Sequence, residues 1–369
     1  MTPLPRAEEL RTARQTRLPG FGPAQQQSLF DAHVLVIGAG GLGCPLMQSL
    51  AATGVGHITV IDDDVVSLNN IHRQILFTAD DVGRRKVDVV AQRLVGLQPS
   101  LTVTTIAQRF DADNAVDLLR DVDILVDGSD NFATKFLAAD AAEVTGTPLV
   151  WGTVLQYRGD VALWWTGPGA PAGGAGLRDL FPAEPDPSSV PDCATAGVLG
   201  VTTSVVGSLM ATEVVTHLTG LSSTVGVVRS YDALAGTARA FRVRRDPQRA
   251  VVTRGDELVK NRGGAELLDT MLRGEALAID VREADEKAAR DLPRPGRSLP
   301  TSQWEANPQL AEDALREVPE GSDVVVYCAS GARSRRFVER FADSARARGV
   351  TLHSLPGGAN AHGVINCRP

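Results

Sequence analysis

Val34-Leu35-Val36-Ile37 runs directly into Gly38-Ala39-Gly40-Gly41-Leu42-Gly43, and Cys44 to Ala52 follows as a helical stretch. A short run of β-branched and aliphatic residues reads as a buried strand. The glycines then allow a tight turn and let an anionic group approach the amides at a helix N-terminus, where the dipole favours negative charge. This strand–turn–helix context is what gives a G-x-G-x-x-G pattern its meaning. A second apolar run, His57 to Ile61, ends at Asp62, about 20 residues on, where a carboxylate can hold a ribose hydroxyl. The stretch predicts a nucleotide site. It does not choose the nucleotide.

Outward from it, short apolar runs alternate with helical stretches. Strands are expected at 33–37, 57–61, 101–106, 123–127 and 148–151, and helices at 42–53, 82–96, 113–120 and 132–144. That alternation predicts an α/β fold with a Rossmann-like, mostly parallel sheet covered on both faces. Residues 158–166 and 227–243 read as further, antiparallel strands. Between them, 167–191 is dense in Gly, Pro, Ala and Ser, a composition that predicts a mobile crossover loop. A first domain is expected over 1–246 and a linker over 247–257. A smaller α/β domain follows over 258–369, with strands at 276–280 and 323–327, a helical patch near 309–316 and a helix from Arg333.

The chain has 369 residues, 43% of them hydrophobic, and a formal charge of −7. Mild acidity without a dense basic stretch argues against a nucleic-acid surface. The four cysteines (Cys44, Cys193, Cys328, Cys367) form no C-x-x-C pair, which argues against a disulfide framework and a four-thiolate zinc site and fits a reducing cytoplasm. The polar N-terminus does not read as a signal peptide. The most apolar region, 194–218, is interrupted by Gly197, Gly200, Gly207, Glu213 and His217. It predicts a buried helix rather than a membrane span.

Asp62 is followed by Asn69, Asn70, Arg73 and Gln74, then by Arg84, Arg85 and Lys86, then by Asp127-Gly128-Ser129-Asp130-Asn131. Singly, Arg84 to Lys86 reads as a solvated helix start and Asp130-Asn131 as an N-cap. Asp130, however, follows a strand and falls at the carboxyl edge of the sheet, as do the Gly38 turn and Asp62. Two cations and a carboxylate there suit a triphosphate with Mg²⁺, the cations offsetting charge on a departing pyrophosphate and Asp130 holding the metal. Two other readings stay open. A nicotinamide-dependent oxidoreductase would not need Arg73, Lys86 or Asp130, and a non-catalytic carrier-binding scaffold would not exchange pyrophosphate into ATP.

From about residue 10 to 245 this ordered motif set resembles the MoeB/ThiF family of ubiquitin-activating-like enzymes, which adenylylate the C-terminal glycine of small β-grasp sulfur-carrier proteins. The resemblance implies a site made by Gly38, Gly40, Gly41, Gly43, Asp62, Asn69, Asn70, Arg73, Lys86, Asp130 and Asn131. In it Asp62 would bind ribose, Asn70, Arg73 and Lys86 the phosphates of ATP, and Asp130 magnesium. It also implies a homodimer in which Arg14 reaches the neighbouring subunit's ATP site. The family's two zinc-binding C-x-x-C pairs are missing here, so no zinc is expected. Cys193, before the apolar helix, matches the family's loop cysteine, with a covalent role on the carrier or a purely structural one.

A second constellation is Cys328-Ala329-Ser330-Gly331-Ala332-Arg333 after the strand 323–327. A cysteine ending a strand before a loop and helix sits in a ring of amide donors that stabilise a thiolate or persulfide. A cysteine phosphatase needs five residues between Cys and Arg. The four from Ala329 to Ala332 leave space for one extra sulfur. With Asp280-Val281-Arg282-Glu283 and Gly357-Gly358, this region resembles a rhodanese domain. Together the resemblances imply adenylylation of a carrier ending in Gly-Gly, followed by sulfur transfer from a Cys328 persulfide to give a thiocarboxylate. The sulfur would come from a cysteine desulfurase or thiosulfate. Cys44 and Cys367 read as non-catalytic.

Overall fold

The computed structural model describes residues 3–182, 184–185, 196–249, 251–253, 258, 264–292, 294–329, 331–355, 358–359 and 364–365. The chain forms two compact units, the first ending at Val259. In the first, α1 (Arg6–Arg11) and α2 (Pro23–Asp31) precede β1 (His33–Ile37), α3 (Gly43–Thr53) and β2 (His57–Ile61). Then come α4 (Lys86–Leu97), β3 (Thr102–Ile106), α5 (Ala115–Leu118), β4 (Ile124–Asp127), α6 (Phe132–Thr145), β5 (Leu149–Leu155) and β6 (Arg158–Trp164). The unit closes with α7 (Leu177–Leu180), α8 (Gly200–Leu218), β7 (Val227–Asp232) and β8 (Thr237–Arg242).

The eight strands form one sheet in the order β3-β2-β1-β4-β5-β6-β7-β8, parallel through β5 and antiparallel beyond it. Alternation along β1 separates two cores, with Val34 and Val36 packing on one face and Leu35 and Ile37 on the other. The chain leaves β1 toward β2 and returns at β4 on β1's other side. The carboxyl ends of β1 and β4 therefore flank the crevice where an α/β sheet takes its ligand.

Two expectations are corrected. The helix expected from 82 begins at Lys86, because Gly83 adopts φ +87° and the Val66 N–H donates to the Arg84 carbonyl at 2.9 Å. The apolar helix is buried on one face only: Gly207 lets it approach α3, where an added Cβ would lie 2.6 Å from Pro45, while Val201 is 64% exposed. Within the expected crossover loop 167–191, the described residues 167–182 make specific contacts. Ala175 and Leu177 are buried, α7 forms, and Arg178 makes a two-pronged pair with Asp140 at 2.6 and 2.7 Å. Arg249 pairs with Glu143 at 2.6 Å and Asp179 at 3.0 Å. Cys193, Ser330, Gly357 and Cys367 lie outside the described residues.

The second unit comprises α9 (Gly264–Arg273), β9 (Leu277–Asp280), α10 (Ala284–Ala289), β10 (Arg290–Asp291), β11 (Arg297–Ser298), α11 (Thr301–Ala306) and α12 (Gln309–Arg316). β12 (Asp323–Tyr327), α13 (Ala332–Arg346), β13 (Thr351–Ser354) and β14 (Val364–Ile365) complete it. Its main sheet is fully parallel, ordered β11-β9-β12-β13. Val324, Val326 and Cys328 face one core, Val325 and Tyr327 the other. Among the described residues no helix is long and apolar enough to cross a membrane.

Candidate functional site

The crevice is built on backbone contacts that only glycine permits. Gly38 holds φ +90°, and a Cβ on Gly43 would fall 1.9 Å from the Gly38 carbonyl oxygen. The next wall is the loop after β4, where the Gly128 N–H donates to the Ile37 carbonyl at 2.9 Å. Gly41 lies against two side chains. In the structure a Cβ there would meet the Thr203 methyl at 3.2 Å and the Arg73 stem at 3.4 Å, so its smallness seats Arg73 beside the turn.

Asp62 closes the turn from β2. Its Oδ2 accepts from the Ala39 N–H at 2.7 Å and its Oδ1 from the Asp64 N–H at 2.8 Å. Burial pushes the Asp62 carboxyl above its usual range, and the Lys86 cation opposes this. Lys86, the first residue of α4, is 6% exposed, with its Nζ 2.9 Å from Asp64 Oδ2. Arg73 is half-buried, and its Nη1 donates to the Asn69 carbonyl at 3.1 Å. Asn70 bonds the Asn69 side chain at 3.2 Å and caps the short turn before Arg73. Asp62 thus bonds the glycine turn, Arg73 lies against Gly41, and Lys86 joins them through Asp64.

Asp130 is exposed just past β4 and has no partner among the described residues. An open carboxylate at this edge suits a hard cation that keeps most of its waters. The oxygens of Asp62, Asp63 and Asp64 also approach within 4.8 Å of one another, but they are engaged by amides, by Arg109 and by Lys86. Asn131 accepts from the Thr134 N–H at 2.9 Å, so its side-chain oxygen caps α6. Arg14 is exposed and unpaired among the described residues.

Sequence reasoning missed the floor of the crevice. Lys135, 3% exposed, donates to Asp127 Oδ2 at 3.2 Å and to the Ser129 and Gly152 carbonyls at 2.7 Å each. Asp127 accepts from the Ser129 N–H at 2.9 Å. This network pins the segment leading to Asp130. A lone lysine inside the apolar run of α6 was the available signal, since such a group is rarely buried unpaired. Cys44 is buried, which pushes its thiol up to about 12 and leaves it inert at neutral pH.

In the second unit the Cys328 sulfur is buried and accepts from the Gly331 N–H at 3.0 Å. Gly331 holds φ +96° at the start of α13. A Cβ on Gly358 would fall 2.2 Å from the Cys328 carbonyl oxygen. Arg333 donates to Glu286 at 2.7 Å, and that pairing holds the guanidinium above and the carboxyl below their ordinary values. Asp280 and Arg282, quoted from the sequence as a motif, form a fully buried pair at 2.7 Å. The Gly331 amide, the start of α13 and the Arg333 guanidinium thus meet at the sulfur.

A family model described as the ThiF family matches residues 12–251. The chain belongs to the ThiF family. One relative, a probable adenylyltransferase/sulfurtransferase MoeZ of Mycobacterium tuberculosis, is 37% identical over 350 residues, covering 90% of this chain and 87% of its own. That alignment runs past residue 251 into the second unit. Another, a sulfur carrier protein adenylyltransferase of Thermus thermophilus, is 45% identical over 252 residues, covering 68% of this chain and 92% of its own. Among solved structures, E. coli MccB with ATP matches at TM-score 0.58 and 20% identity, over 66% of this chain and 74% of that one. This agrees with a ThiF-family fold for the sheet and crevice described above.

Proposed function

We propose that this ThiF-family enzyme uses ATP to adenylylate the C-terminal glycine of a small β-grasp sulfur-carrier protein and then transfers sulfur to it. The observation that carries the first half is the convergence of Arg73, Lys86 and Asp62 on the glycine turn, with Asp130 open at the same sheet edge. A carboxylate oxygen of the carrier attacks the α-phosphorus of ATP, and pyrophosphate leaves. Arg73 and Lys86 offset the charge on the departing group, Asn70 orients the phosphates and Asp62 holds the ribose. Asp130 is the residue to hold Mg²⁺, which supplies charge neutralisation at the phosphates when bound.

Cys328 performs the second half. Its thiolate attacks the outer sulfur of thiosulfate, or of a desulfurase persulfide, and displaces sulfite or the donor thiolate. The resulting persulfide attacks the acyl-adenylate carbonyl and AMP leaves. A second thiol then attacks the Cys328 sulfur and releases the thiocarboxylate, leaving a disulfide for a cellular thiol to reduce. Cys193 is the candidate for that thiol.

A homodimer with Arg14 acting in the partner's site fits two observations. Arg14 is unpaired among the described residues, and α8 exposes Val201 and Val205 on one face. A cytoplasmic setting suits a thiol that must cycle between reduced and persulfide forms. The test is exchange of labelled pyrophosphate into ATP with Gly-Gly carriers, run beside thiocarboxylate formation from thiosulfate. Cys328→Ala should keep exchange and abolish thiocarboxylate. Exchange absent with every carrier would overturn the adenylylation reading.

A further inference from the structure

One hydroxyl lies beside the Cys328 sulfur and a second is bonded to the first, and the reaction as proposed above assigns neither a task. Ser334, fully buried in the first turn of α13, places its Oγ 3.7 Å from Cys328 Sγ, 3.0 Å from the Gly331 carbonyl oxygen and 2.9 Å from Ser354 Oγ. Ser354, on the neighbouring β13, has its Oγ 3.4 Å from the same carbonyl. The 3.7 Å separation is within reach of a sulfur acceptor, whose lone pairs lie farther out than those of oxygen.

Two protons therefore serve three acceptors, and the hydroxyls have two arrangements with the same heavy-atom positions. With Cys328 a neutral thiol, Ser334 donates to the Gly331 carbonyl and accepts from Ser354. With Cys328 ionised, the Ser334 hydroxyl rotates to donate to the sulfur, and Ser354 donates to the carbonyl or to Ser334. Hydroxyl rotation is nearly free, whereas a buried anion without a donor costs much. The second arrangement thus gives the anion another hydrogen bond, beyond the Gly331 amide, without moving a side chain.

We propose that Ser334 is a positioning residue that stabilises the Cys328 thiolate through its hydroxyl, with Ser354 as the donor that frees it to do so. This deepens the assignment of Cys328 as the sulfur acceptor and rests on it. The charged groups facing the loop are Arg333 on α13, held by Glu286 of α10, and the Asp280–Arg282 pair at the end of β9. On β13, His353 precedes Ser354 and is committed to Asp323 at 2.6 Å. Arg333, while paired with Glu286, also reaches the Cys328 sulfur with a side-chain hydrogen bond, so the Ser334 hydroxyl adds a donor to those of Arg333 and the Gly331 amide.

The experiment follows thiolate absorbance of the full chain across pH, taking Cys328→Ser as the baseline, and separately the pH dependence of persulfide loading by thiosulfate. Ser334→Ala should raise the thiolate midpoint by about one unit, the scale of a hydrogen bond to a charged group. Loading at neutral pH should fall roughly three- to ten-fold and recover at alkaline pH. Ser334→Thr should restore both, and Ser354→Ala should shift the midpoint in the same direction by less. An unchanged midpoint, or a loading defect equal at all pH values, would overturn the proposal. If the midpoint moves but even the native chain fails to load, the hydroxyl role stands and the sulfur-acceptor assignment falls.

Discussion

Lys135 Nζ and Asp127 Oδ2 lie 3.2 Å apart beneath the glycine turn, with 3% and 0% of their side chains exposed. Removing one partner of such a pair leaves a buried charge uncompensated. Lys135→Met should therefore cost about 3–5 kcal/mol, read by urea unfolding of the first unit. Adding Asp127→Leu should recover part of that loss, because a well-filled apolar pair no longer carries an unpaired ion. The same single change should weaken pyrophosphate exchange by loosening the segment that carries Asp130.

The contact between Gly43 and Gly38 gives a sharper test of the crevice. An alanine Cβ at 43 would sit 1.9 Å from the Gly38 carbonyl oxygen, so the turn must open for Gly43→Ala to fold. Pyrophosphate exchange should fall by at least about 100-fold, the scale of a 1 Å misplacement of reacting groups. Loading of Cys328 by thiosulfate should be unaffected, since that cysteine belongs to the other compact unit.

Gly358 makes the reciprocal case. It holds φ +55°, and its Cβ would fall 2.2 Å from the Cys328 carbonyl oxygen. Gly358→Ala should displace the loop after β12, lower persulfide loading by an order of magnitude or more, and leave pyrophosphate exchange intact. Mass spectrometry of the thiosulfate-treated chain reads the first effect directly.

Acid sensitivity has an identifiable source. His57 is held below its ordinary value by burial and then by His33, whose ring stacks on it at 3.7 Å. His217, burying its ring against Trp165, is shifted the same way by burial. A depressed histidine contributes stability above its unfolded value near 6.5, and that contribution is lost as pH falls through the lower folded value. Burial pushes Asp81 up, but the Thr78 amide and hydroxyl and Arg93 outweigh it and hold the carboxyl at about 2. Its contribution therefore persists until pH falls below the usual carboxylate range. Tm should drop between neutral pH and about pH 5, and the drop should be smaller in His57→Gln and in His217→Gln.

Much of this was legible in the sequence because it is local. Val34 to Gly43 carries its strand, turn and helix in adjacent residues, and the strands flanking it announce themselves by β-branched runs. The helix at Lys86 was expected four residues early, because Gly83 and the Val66–Arg84 bond terminate a pattern that periodicity alone continues. The contacts within the 167–182 stretch were not legible, for a different reason. Its composition is that of a loose loop, and its order comes from Arg178 on Asp140 and Arg249 on Glu143, partners 38 and 106 residues away.

The sequence by itself determined that Gly38–Gly43 would turn a strand into a helix and that Cys328 would stand between a strand and a helix. Both follow from neighbouring residues and from the handedness of strand–helix units. Only the tertiary structure decided that Arg73 sits in the clearance of Gly41, that Lys135 pairs with Asp127 at the end of β4, and that the Ser334 hydroxyl, bonded to Ser354, faces the Cys328 sulfur. The physical reason is the same in each case. A buried cation, or a hydroxyl next to a sulfur, takes its energetics from groups that the fold brings together from distant strands and helices, and no local pattern records that meeting.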